Sequence, residues 1–222
     1  MRFLLPLCFF GLLVSPVCSA TVGESMHHVA ASPDYVEIGA TDGIAVDLRY
    51  ATANNFVGRN LYGEFDRAFL HRVAAAKLRV AAEGLRRIEP RYRLVIFDAL
   101  RPRSVQWVLW HQVEGTEQQK YVASPRSGSI RNFGFAVDLS ILDGNGVELD
   151  MGTPFDDFTP LAQPRYEEKL LKEGRLTEAQ IRNRRLLRRV MEEAGFEGLR
   201  IEWWHFNALP KAEVKANYRI VE

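Results

Sequence analysis

The stretch Ala136-Val137-Asp138-Leu139-Ser140-Ile141 constrains this chain more than any other. Its alternation reads as a β-strand, with Asp138 on the face of Ala136 and Ser140, and Val137, Leu139 and Ile141 on the opposite face. An acid in the middle of an apolar strand costs several kcal/mol if buried unpaired, so it demands a cation, a metal or several donors. Taken alone, a salt bridge is the simplest partner. A second buried strand is expected at Tyr92 to Phe97 (YRLVIF), delivering the loop Asp98-Ala99-Leu100-Arg101-Pro102. A guanidinium fixed in that turn could stabilise a developing oxyanion; the alternative is an ordinary surface ion pair.

The remaining periodicities build a domain around these strands. Short strands are expected at Tyr35–Ile38 and Ile44–Tyr50, with a loop at Asn54–Gly58. From Asp66 to Ile88 the pattern is helical: Leu70, Ala74, Leu78, Ala81, Leu85 and Ile88 share one face, and Pro90 follows. Ser104 is placed to cap a helix through His111, and Ser124–Gly134 is a Gly/Ser/Pro-rich loop. Residues 144–167 read as a long irregular loop of the kind that borders active sites. Thr177 and Gln180 form a capping box for a helix with a Leu187, Val190, Met191 and Ala194 stripe, stopped by Gly195. Leu199 to Phe206 reads as an aromatic strand. Helices and strands mix without a regular βαβ rhythm. The expected class is therefore α+β: a single compact domain with a mixed or antiparallel sheet and helices packed on it.

The first twenty residues read as a signal peptide. Arg2 supplies the positive start, Phe3–Val14 is mostly apolar, and small residues lead to expected cleavage after Ala20. Residues 21–34 are polar and small, read as a mobile leader, and 35–222 form the folded domain. The product is expected to be periplasmic or secreted, with no membrane attachment after cleavage. Cleavage removes Arg2 and no acid, which balances the charges of the 29 Lys+Arg and 28 Asp+Glu chain. That balance argues against nucleic acid or an anionic membrane as partner. Cys8 and Cys18 are the only cysteines and both lie in the signal. Any metal site must therefore use histidine and carboxylates.

Glu202-x-x-His205 is one such pair, since a zinc hydrolase can combine a ligand histidine with a carboxylate that takes a proton from bound water. On a regular strand this spacing puts the two side chains on opposite faces. A shared pocket needs a twist, a bulge or the strand's end. The plain alternative packs His205 in an aromatic edge and leaves Glu202 solvated.

Taken together, these stretches resemble a known family. Ser129-Ile130-Arg131-Asn132-Phe133-Gly134-Phe135-Ala136-Val137-Asp138 resembles the S-x-H-x-x-G-x-A-x-D signature of the D-alanyl-D-alanine dipeptidases, a branch of a zinc peptidase group that includes D,D-carboxypeptidases. Glu202-Trp203-Trp204-His205 is similar to that family's second signature. Asp47–Thr52, Asp98–Pro102, Met151–Asp156 and Asn183–Arg185 extend the resemblance in order along the chain. It implies a catalytic domain over 35–222 that hydrolyses a small dipeptide such as D-Ala-D-Ala in cell-wall peptide metabolism. It further implies one Zn2+ held by Asp138 and His205, with Glu202 as general base and then acid, and Arg101 stabilising the tetrahedral intermediate. Ser129 and Asp156 would recognise the dipeptide's ammonium end. Arg131 stands where the signature has its first ligand histidine. Guanidinium stays protonated and offers only donors. The chain is therefore expected to bind zinc weakly and to hydrolyse poorly, or to serve as a relative that binds peptide or cell-wall fragments.

Overall fold

The computed structural model describes residues 17–222. The apolar core of the expected signal peptide lies outside the described residues; its last four positions open the first helix, α1 (Val17–Ala31). Val22, Met26 and Val29 of α1 are buried, and the helix packs near β1 (Tyr35–Ile38). A helix therefore occupies the segment expected as a mobile leader. Its three large apolar residues, spaced four and three apart, form a stripe that can seat on the body.

β1 pairs antiparallel with β3 (Ala68–His71), between which lies the short β2 (Ala45–Val46). Two local expectations change here. Ile44–Tyr50 is strand only at β2, because Arg49–Ala51 turns into a 3-10 helix. The predicted Asp66–Ile88 helix begins only at α2 (Arg72–Ile88): Ala68–His71 are all buried and are drawn into a strand by pairing with β1. Helical and buried-strand patterns cannot be told apart over four apolar residues. The imidazole of His71 instead accepts the backbone N–H of Val73 and caps α2.

β4 (Arg93–Asp98) leads through Pro102 to α3 (Arg103–Val113). The 3-10 turn Ile130–Phe133 then enters β5 (Ala136–Leu142). Between them Gly134 has φ 75°, and a Cβ there would stand 2.8 Å from the backbone N of His71. Residues beyond β5 wind irregularly to α4 (Glu167–Lys172), and α5 (Glu178–Glu193) opens on the Thr177/Gln180 capping box. The predicted strand Leu199–Phe206 resolves into β6 (Glu197–Gly198), a bend, and β7 (His205–Asn207), before α6 (Lys211–Asn217) closes the chain.

The main sheet has the order β2-β4-β5-β7-β6, with β2 parallel to β4 and the other neighbours antiparallel. It is a mixed sheet with helices packed around it, an α+β domain. α2 packs on β4 and beside α5, burying Leu78 and Leu85. Each such leucine contributes about 1.5–3 kcal/mol. Phe97, Phe135, Trp204 and Phe206 complete the interior around the strands that carry the polar residues.

Candidate active site

One row across the sheet carries the charges. Asp98 on β4 pairs with Asp138 on β5, and Asp138 pairs with His205 on β7. A bulge makes this possible. Ile96 faces Leu139, yet Asp98 rather than Phe97 faces Asp138. Without the extra residue Asp98 would point to the other face of the sheet. Two buried carboxylates directly opposite each other repel, so the fold must supply cations.

Two arginines supply them. Arg101 donates from Nε to Asp98 Oδ2 at 3.0 Å, from Nη2 to the same oxygen, and from Nη1 to Gln106 Oε1 at 2.9 Å. Tyr62 donates its hydroxyl to the other Asp98 oxygen at 2.6 Å. Burial opposes the charge of Arg101, but Asp98, Tyr50, Tyr62 and Asp138 together outweigh it and keep the guanidinium protonated. Arg131 reaches in from the 3-10 turn and donates from Nη2 to Asp138 Oδ1 at 2.5 Å. It also stands 3.6 Å from Asp98 and 3.9 Å from Glu202. The two arginine loops are tied together: Asn132 Nδ2 donates to the Arg101 carbonyl at 2.7 Å, and the Arg101 N–H donates to the Arg131 carbonyl.

Glu202 shares the pocket with His205 because β7 begins only at His205, leaving Glu202 in the preceding bend. Ligand atoms of Asp138, Glu202 and His205 lie within 4.8 Å of one another. His205 Nδ1 is 2.9 Å from Asp138 Oδ1, and its Nε2 is 2.9 Å from Asn207 Oδ1. Burial pushes His205 below its ordinary pKa, and Arg131 pushes the same way, with the Asp138 hydrogen bond opposing. Burial works against the Asp138 charge, but Arg131 and His205 prevail and hold it low. Burial raises Glu202 to about 8, with Arg131 opposing and Asp138 adding to the rise.

Asp156 lies at the far side of this centre, at φ 62°, an unusual backbone conformation outside glycine. Its Oδ2 accepts from Tyr50 at 3.0 Å and from the Phe56 N–H at 3.4 Å. Burial, helped by Asp138, lifts it to about 7. Arg184 on α5 holds its loop at both ends, donating to the carbonyls of Met151 at 2.6 Å and Leu161 at 3.1 Å. Asp156, Arg101, Tyr50 and Phe158 line one cleft, of about 320 Å³ including its open mouth. Ser129 lines a different one, with His205, Asn207, Lys120 and Lys211. Arg131, Glu202 and Tyr121 border both. Ser129 and Asp156 thus line adjoining lobes that share the wall of Arg131, Glu202 and Tyr121. Tyr50, Tyr62 and Asp98 carry much of this geometry and had no role assigned from sequence, although Tyr50 and Asp98 lie in the stretches that carry the resemblance.

The zinc that the resemblance implies does not fit the residues as they stand. A catalytic zinc site takes three neutral or anionic protein ligands and one open position. Here a permanent cation holds Asp138 and lies beside Glu202. The other histidines offer no substitute: His27 and His28 lie on α1, His71 caps α2 and stacks on Phe135, and His111 sits on α3 against Trp107. The second oxygen of Asp138 is buried and without a partner among the described residues, so a donor atom remains if residue 131 were to leave.

Comparison with known proteins identifies the family. The family model described as D-ala-D-ala dipeptidase matches residues 32–221. The D-alanyl-D-alanine dipeptidase of Escherichia coli strain K12 is 34% identical over 171 residues, covering 76% of this chain and 80% of that protein. Those of Enterococcus faecalis strain V583 and Enterococcus faecium are 28% and 29% identical, over 75% and 77% of this chain and 87% and 92% of their own lengths. The chain belongs to the D-alanyl-D-alanine dipeptidase family.

Proposed function

We propose that this protein is an exported dipeptidase-family member that recognises D-alanyl-D-alanine, or a similar small dipeptide, in cell-wall peptide metabolism. We further propose that Arg131 makes it a slow hydrolase. The observation that carries this reading is the Arg131–Asp138 ion pair inside a site whose other family residues are all present. Asp156 and Tyr50 would take the substrate ammonium, which the half-buried, partly protonated carboxyl would meet as an anion once the ligand's charge arrives. Arg101, locked by Asp98 and Gln106 over the Tyr50 ring, would present a fixed positive charge to the peptide carbonyl.

In the metal-free site the ionisation of Glu202 is set by burial, which Arg131 opposes. With a pKa near 8 it holds its proton at neutral pH. It can donate a hydrogen bond there, but a protonated carboxyl cannot act as a general base. Export rests on the sequence of residues 1–20 alone; no described helix is long and apolar enough to cross a membrane.

The test is calorimetric titration of D-Ala-D-Ala into the purified protein, with D-alanine release followed in the same samples with and without added zinc. Saturable binding with turnover several orders below that of the histidine variant is expected. Rapid zinc-dependent turnover by the unaltered chain, or absence of binding, would overturn the proposal.

A further inference from the structure

The lobe that holds Ser129 carries two lysines that the Asp156 lobe lacks. Asp156 and Arg101 line one side of the partition formed by Arg131, Glu202 and Tyr121. On the other, Lys120 and Lys211 border the cleft beside Ser129 and Asn207. Both lysines are exposed, and neither forms an ion pair among the described residues. Lys120 lies along the Tyr121 ring, with Nζ 5.3 Å from its centroid, which keeps its ammonium near the partition. Lys211 opens α6 directly after the turn that follows β7, so its position is tied to the strand carrying His205.

A dipeptide is a zwitterion with charges at its two ends. Two extended residues span roughly 7 Å, a reach suited to neighbouring lobes that share one wall. With the ammonium at Asp156 and the peptide bond at the shared wall of Glu202 and Arg131, the carboxylate would point to the lobe of Ser129. We infer that Lys120 and Lys211, with the Ser129 hydroxyl, form a carboxylate subsite that fixes the polarity of the bound dipeptide. This assignment deepens the dipeptide reading and rests on it. It also gives Ser129 the carboxylate end of the ligand in place of the ammonium end. Lysine suits the task, as a hydrated point charge on a flexible stem meets a carboxylate at an open mouth without a fixed fork geometry.

The experiment compares D-Ala-D-Ala with its carboxy-terminal amide, titrated calorimetrically into the full protein and into a Lys120→Ala/Lys211→Ala double variant. The unaltered protein should bind the dipeptide roughly threefold to tenfold more tightly than the amide, the scale of two exposed ion pairs. The double variant should lose that preference by weakening for the dipeptide alone, and its binding should depend less on salt. Equal dipeptide affinity in both proteins, or equal loss for both ligands, refutes the lysine assignment while leaving dipeptide recognition intact. Failure of the unaltered protein to bind either ligand removes the dipeptide reading, and this inference with it.

Discussion

Replacing Arg131 by histidine tests the central argument most directly. The substitution removes a guanidinium that lies 2.5 Å from Asp138 Oδ1 and 3.9 Å from Glu202 Oε2. A divalent cation held by Asp138 and His205 would stand about 4 Å from that charge, where the repulsion amounts to about 2 kcal/mol in water and about 8 kcal/mol at an effective dielectric of 20. The variant should therefore bind zinc at least ~30-fold more tightly, even at the water limit, before any gain from the new ligand. Without metal it should be less stable, because Asp138 then keeps only His205. Breaking a buried pair costs about 3–5 kcal/mol. Zinc should reverse that loss, since a ligand that binds only the folded state raises the melting temperature in proportion to the logarithm of its concentration. Thermal melts of both proteins across a zinc series, with D-alanine release measured in parallel, make the comparison. If zinc stabilises the unaltered chain as strongly as the variant and both turn over D-Ala-D-Ala equally, then Arg131 does not exclude the metal and the reasoning fails.

Three further outcomes are expected. Asp156→Asn should weaken D-Ala-D-Ala binding by about 1.5–3 kcal/mol, the worth of a hydrogen bond to a charged group; unchanged affinity by calorimetry would remove Asp156 from ammonium recognition. Glu202 and Asp156 both have carboxyl pKa values raised by folding, so the stability they contribute is present at low pH and lost as pH rises through about 7 and about 8. Denaturant unfolding should show a decline of at most about 1.4 kcal/mol per unit for each such group from the ordinary carboxyl range up to about 7 for Asp156 and about 8 for Glu202, and Glu202→Gln should remove most of the decline above pH 7; an unchanged slope would mean Glu202 ionises normally. Arg184→Met should destabilise the fold by about 3 kcal/mol, the low end for a broken buried pair because Arg188 keeps its own bond to Glu167. The same variant should also weaken dipeptide binding through the freed Asp156 loop, and an unaltered melting temperature would refute this.

What the sequence by itself determined was the set of elements whose pattern is long or chemically marked. The strands at 93–98 and 136–142 could be read because their runs are apolar and bounded by turn residues, and Asp138 announced itself as an acid on a buried strand. The helix after Thr177 was legible from its capping box and stripe. Short segments were not. Ala68–His71 reads as the first turn of a helix until β1 pairs with it, and Leu199–Trp204 reads as a strand although it bends. In both, contacts from distant residues outweigh a propensity worth fractions of a kcal/mol per residue. The row Asp98–Asp138–His205 depends on a one-residue bulge that shifts Asp98 to the facing position, and nothing in the local sequence marks it. Nor does spacing reveal that Ser129 and Asp156 stand in different lobes, since only the path of the chain around Arg131 and Glu202 separates them. The identity of residue 131 was plain in the sequence. That its guanidinium turns inward onto Asp138 was decided by tertiary structure, because two buried carboxylates in one row of the sheet require the charge.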